Sequence, residues 1–117
     1  MARTIKLKRV YEAPVKTDGV RILVDRIWPR GLTKKQARID YWAQDVAPST
    51  KLRQWFGHDP GKWPEFKRRY HAELRQNKTG VAALKALLRQ SASVTLVFGA
   101  HDEAHNNAVV LRSYLRR

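Results

Sequence analysis

The sequence predicts an α/β fold: a single layered domain, residues 1–117, with a small, mainly parallel sheet flanked by helices. Three observations predict it. The segments TIKLKRVY, VRILVDRIW and VTLVFGA have strand character. The stretches between them carry apolar residues at spacings of three and four, and strands joined through helical crossovers run parallel. The length of 117 residues suits one sizeable core and is too short for two.

The elements follow in order. Ile5 and Leu7 alternate with Lys6 and Lys8, the pattern of a half-buried strand. Lys16-Thr17-Asp18-Gly19 has turn chemistry. The near-continuous apolar run of residues 20–28 reads as an inner strand, which must end by Trp28 because Pro29 cannot continue a central strand. Thr33 and Gln36 form a capping box for a short helix. Residues 37–47 fit no single pattern. Ser49 can cap a helix carrying Leu52, Trp55 and Phe56, which Gly57 stops. Trp63, Phe66, Tyr70 and Leu74 stripe a longer helix, with Pro64 in its first turn. Val81, Leu84, Leu87 and Leu88 mark another, and residues 94–100 form the last strand. Asn107, Val110, Leu111, Tyr114 and Leu115 stripe a closing helix.

Composition narrows the function classes. There is no cysteine, which removes disulfides, thiolate metal ligands and a cysteine nucleophile, and fits a reducing cytoplasm. No run approaches the roughly 18 apolar residues of a membrane span, so no membrane partner is expected. The start, MARTIKLKRVY, lacks the apolar run of a secretory signal. Lysine plus arginine number 24 against 10 aspartate plus glutamate, a formal charge of +14. Such a field attracts anionic small molecules or nucleic acid. The cations are spread along the chain, which argues against a basic disordered arm.

In open parallel sheets, ligands sit outside the carboxyl ends of the strands. Two segments leave such ends, DRIWPRGL and GAHDEAHNNA. In the first, Arg26 and Arg30 offer planar forks for phosphate or carboxylate, Asp25 can orient Arg26, and Trp28 can stack on a base or guanidinium. The alternative is a structural knot in which Asp25 pairs with an arginine and Trp28 is core. In the second, Asn107 stands where a helix N-terminus suits an anion, although Asn106 or Asn107 can equally be the cap. A third segment, APSTKLRQWFGHDP, groups Arg53, Trp55 and His58, with Asp59 beside the histidine. Asp25 and His58 are the candidate acid–base residues, and a catalytic role for either is otherwise unspecified. His101, Asp102 and His105 fall in a loop without HExxH spacing, so no metal site is expected. No GxGxxG, Walker or GxSxG pattern names a cofactor or a nucleophile elbow.

The segments KRVYEA, DGVRILVDRIWPRGL, APSTKLRQWFGHDP, WPEFKRRYHAEL and VTLVFGAHDEAHNNAVVLRSYL resemble, in the same order and over nearly the whole chain, the YeaO-like proteins. These are small bacterial proteins carrying a domain of unknown function. The resemblance implies a compact α/β domain and brings no activity. Larger relatives share a strand running into Asp-Arg or Asp-Val-Arg, and a last strand running into a Cys-His-Arg that opens a helix. Here Asp25-Arg26 keeps the first feature and Asn106-Asn107-Ala108 replaces the second, without the thiol. The retained feature implies that the two loops face each other.

The leading expectation is a binding module for a phosphate-bearing anion, held by Arg26, Arg30, Arg53, Trp28 or Trp55, and Asn107. One alternative is a hydrolase or transferase using the same pocket. Others are a nucleic-acid binder without sequence preference and a purely structural or partner-binding domain.

Overall fold

In the computed structural model, which describes residues 4–116, four strands form one sheet: β1 (Thr4–Arg9), β2 (Val20–Leu23), β3 (Tyr41–Trp42) and β4 (Ser93–Phe98). Their order is β1-β4-β2-β3, and every pairing is parallel. Strand β4, central and buried from Val94 onward, supplies the uninterrupted apolar run that a parallel interior requires. All four carboxyl ends lie along one edge.

The helices begin and end where their capping chemistry places them. Thr33 and Gln36 exchange hydrogen bonds of 3.1 and 2.9 Å and open α1 (Lys34–Ala37). Ser49 Oγ accepts the Leu52 N–H at the start of α2 (Thr50–Phe56). Gly57 ends that helix in the left-handed region at φ +55°, where a side chain would be strained. Pro64 sits in the first turn of α3 (Trp63–Gln76). Asn77 caps α4 (Lys78–Arg89) through the Gly80 N–H, and Asn106 caps α5 (Asn107–Leu115) through the Val109 N–H.

Two elements differ from the sequence expectation. The second strand stops at Leu23, well short of Trp28. The Val24 N–H still reaches the Val97 carbonyl at 3.1 Å, but Asp25 then turns its carboxylate onto the neighbouring strand end and the ladder stops. Residues 37–47 resolve into the edge strand β3 and a 3-10 turn at Gln44–Val46. Both β3 residues are exposed, so no apolar alternation marked them in the sequence.

The two faces of the sheet are unlike. On one, Ile5, Ile22, Val24, Leu96 and Phe98 pack against the apolar stripes of α2, α3, α4 and α5, with Phe66, Tyr70, Leu74, Leu84 and Leu111 at the centre. On the other, Val10, Leu23 and Val97 meet Ala37, Trp28, Leu32 and Ile39. No helix among the described residues is long and apolar enough to cross a membrane.

At the amino end of this second face lies a charged knot. The buried Asp18 carboxylate accepts from Arg21 Nη1 at 2.7 Å, Lys8 Nζ at 3.1 Å and the Val15 N–H at 3.1 Å. Burial pushes its pKa up, but the Val15 amide, Lys8 and Arg21 together outweigh that and hold it below the ordinary value. Arg21 turns its remaining donors to the Ala37 and Arg38 carbonyls. Asp18→Ala would strand this buried guanidinium, at a cost of about 3 kcal/mol in urea unfolding near neutral pH. Because the carboxyl pKa is depressed in the fold, its contribution is present above the unfolded value and lost as pH falls through the folded one. The gap between wild type and variant should therefore narrow below about pH 4.

Candidate functional site

Two neighbouring strands send the chain to opposite faces. From β4 it passes to α5, whose Ala108, Val110 and Leu111 join the larger core. From β2 it passes into residues 25–39, where Trp28, Leu32, Ala37 and Ile39 join the smaller one. A crevice opens where adjacent connections diverge in this way, and in α/β proteins that is where ligands bind.

Asp25 sits at that divergence, where such a crevice is expected. Its Oδ2 accepts the Gly99 N–H at 2.8 Å and its Oδ1 accepts Asn107 Nδ2 at 3.1 Å. The Asn107 amide also donates to the Val24 carbonyl at 2.8 Å, so one side chain ties α5 to the end of β2. A Cβ on Gly99 would stand 3.2 Å from Oδ2, which is why the carboxylate can come so close. Burial raises the Asp25 pKa. The Gly99 amide, Asn107, His58 and Arg53 pull it back without cancelling the effect. Arg53 and His58 thus lie close enough for Asp25 to feel their charge.

The other candidates fall around this point. Arg26 does not pair with Asp25, as the sequence suggested it might. Its Nε and Nη2 donate to the Pro48 and Ala47 carbonyls at 2.9 and 3.1 Å, latching the segment before α2 onto the end of β2. Trp28 is half-buried against the smaller core, bonds the Leu32 carbonyl through its indole N–H at 2.7 Å, and meets Trp42 edge-on at 5.5 Å. Arg30 and Arg53 are exposed, and their guanidinium groups make no hydrogen bond or ion pair among the described residues. His58 is exposed with φ +58°. Trp55 points elsewhere: Arg69 and Lys62 cover its ring at 4.2 and 5.0 Å. Asp25 and Asn107 are therefore brought into contact, Arg53 and His58 act on Asp25 only through their charge, Arg26 and Trp28 bond to backbone carbonyls beside it, and Trp55 stands apart.

Four neighbours escaped sequence reasoning. Arg9 donates to the Ala100 and Gly99 carbonyls and lies over the Tyr11 ring at 5.2 Å. Tyr11 donates its hydroxyl to the Arg30 carbonyl at 2.9 Å, and Trp42 its indole N–H to the Asp25 carbonyl at 2.7 Å. Gly99 is the fourth. The signal was available, since a parallel sheet brings every strand's carboxyl end to one edge, including those of β1 and β3.

Among the described residues no three His, Asp or Glu side chains converge as metal ligands. Asp102 bonds His105 Nδ1 at 2.9 Å and the Ala104 and His105 amides, which organises its own loop.

An all-parallel four-stranded α/β layer, with a carboxylate of one strand end locked to the amide and opening helix of the next, defines a small α/β domain protein with its topological switch point between β2 and β4. The chain belongs to the DUF488 family: the model described as "Inactive DUF488-N3 subclade" matches residues 4–117. It is 38% identical over 112 residues to the Escherichia coli K12 protein named uncharacterized protein YeaO, covering 96% of each chain. It is 41% identical over 111 residues to uncharacterized protein Rv3073c of Mycobacterium tuberculosis H37Rv, covering 95% of this chain and 92% of that one. No solved structure shows significant similarity to it.

The crevice makes a pH-dependent prediction. In Asn107→Asp a second carboxylate would replace the amide beside Asp25. A raised folded pKa contributes stability that grows as pH falls through it, and the paired acids raise it further. The thermal midpoint of the variant should drop most at neutral pH and recover toward wild type as pH falls through the raised carboxyl range, as followed by circular dichroism.

Proposed function

We propose that the protein is a binding module for a phosphate-bearing small molecule at the carboxyl ends of its strands. The observation that carries this reading is the pair of exposed arginines, Arg30 and Arg53, whose guanidinium groups make no hydrogen bond or ion pair among the described residues and which belong to segments that border the switch point. An arginine fork matches a phosphate better than any other side chain does. Asp25 refines the ligand. A bare anion would be repelled by the carboxylate on the crevice floor, whereas a ligand that also carries a hydroxyl or amino group can turn that group toward Asp25. Tyr11 and Trp42, 43% and 37% exposed on either side, offer rings against which a sugar or base can rest.

Binding is favoured over catalysis. Both Asp25 oxygens already accept hydrogen bonds, and the matching subclade is described as inactive. A cysteine-free composition suits a reducing cytoplasm.

Thermal-shift measurements with inorganic phosphate, sugar phosphates and nucleotides test the proposal. Hydroxyl-bearing phosphates should raise the melting temperature more than phosphate alone. The Arg30→Ala/Arg53→Ala double variant should fold normally and lose that shift. An unchanged shift in the double variant, or no stabilisation by any of these compounds, would remove the reading.

A further inference from the structure

We propose that a second site, the groove between α3 and α5, holds single-stranded nucleic acid. The groove encloses about 370 Å³ and is lined by Trp63, Lys67, Arg68, His71 and Val109, among others, with no carboxylate in its lining. It lies on the helical side of the molecule, and its residues are different from those of the Asp25 crevice.

Its charge follows from how α3 uses its acids. The helix carries four cations, Lys67, Arg68, Arg69 and Arg75, against two carboxylates, Glu65 and Glu73. Glu73 is taken up by the Ser49 N–H and hydroxyl at 2.9 and 2.6 Å. Glu65 accepts from Arg68 and Arg69, which hold its pKa down to about 2, so one carboxylate orients two guanidiniums and cannot neutralise both. Lys67 stands 5.6 Å from the Trp63 ring, and Arg68 is 70% exposed at the side chain. Beside the groove, Asp102 is occupied by His105, which packs edge-on against Trp63 at 5.2 Å.

The occupant must match both halves of this lining. Lys67 and Arg68 call for an extended anion, while Val109 and Trp63, which is half-buried on Phe66, call for apolar surface. An acidic peptide supplies only the first. A duplex keeps its bases stacked inside. A single strand presents phosphates along one side and unstacked bases along the other. The +14 charge of the chain adds long-range attraction for the same partner.

Fluorescence anisotropy with labelled oligothymidylate, across a salt series, tests the assignment. Wild type should bind at low salt and weaken steeply as salt rises. Lys67→Gln/Arg68→Gln should lose about tenfold in affinity at moderate salt and flatten the log–log salt slope by about 1.4, the value for two single-strand phosphate contacts. Ser113→Glu, which adds a negative charge to the groove from α5, should weaken binding similarly. Lys34→Gln/Lys35→Gln removes the same charge from α1 on the other sheet face and should leave most of the affinity. Equal losses in the two double variants would show bulk attraction alone and overturn the site. Preference for oligoglutamate or duplex over oligothymidylate, or no binding at low salt, would overturn it as well. The Arg30→Ala/Arg53→Ala variant, like the α1 variant, should leave most of the affinity for oligothymidylate.

Discussion

The contact on which the rest depends is the Asp25 carboxylate held between the Gly99 amide and Asn107. It joins the ends of two adjacent strands to the first turn of the last helix, at the point where their connections part to opposite faces. Each half of the core needs this junction. Val24, whose carbonyl Asn107 holds, packs among the helices, while Leu23, one residue earlier, packs under Trp28 and Ala37. A ligand in such a crevice usually meets backbone amides free to receive it. Here the protein's own carboxylate occupies the Gly99 amide. In the proposed binding mode, recognition therefore falls to the rim, and the carboxylate sets a condition on the ligand.

Arginine chemistry explains much of the remaining architecture. With 24 basic and 10 acidic residues, ion pairs alone cannot hold the loops. Several guanidiniums instead donate to backbone carbonyls. Arg9 holds Gly99 and Ala100, Arg21 holds Ala37 and Arg38, and Arg26 holds Ala47 and Pro48. Each ties a strand to a loop that leaves another element, satisfying carbonyls that no ladder or helix reaches. Because a neutral acceptor leaves the charge uncancelled, this mode of loop fastening raises net charge as a by-product. Part of the +14 is therefore structural in origin, and only the cations outside such struts are open to a partner.

Fold class was legible because β4 is an uninterrupted apolar run, because α3, α4 and α5 carry apolar stripes, and because Thr33, Ser49, Gly57 and Pro64 punctuate the helices as their chemistry dictates. The two-residue β3 was not, since an exposed edge strand has no apolar face to betray it. The crevice was legible in part. Asp25 and Asn107 were singled out on residue type and strand-end position, and they do meet. Their partners were not readable: a backbone amide such as that of Gly99 leaves no mark in sequence, and Arg26 turning to Ala47 and Pro48 depends on a segment that fitted no pattern. Trp55 was misleading for a related reason. Arg53 and Trp55 lie two residues apart, which on a helix puts them on nearly opposite sides.

That last point bears on how charge is apportioned between the two proposed sites. On helix α2, Arg53 adds positive charge felt at Asp25, while the Trp55 ring packs against Arg69 of α3. Arg69 is thereby shared between the Trp55 ring and Glu65, and Glu65 in turn steadies Arg68 at the lip of the α3–α5 groove. A short helix of seven residues thus stands between the crevice and the groove with one cation on one side and an aromatic anchor on the other. The sites share no lining residue, yet both are built against α2 or its immediate contact. Its amino end is fixed from outside, at Ser49 by Glu73 and at Ala47 and Pro48 just before it by Arg26. Those two hydrogen-bonded latches, more than any contact within either site, set where Arg53 and Trp55 stand.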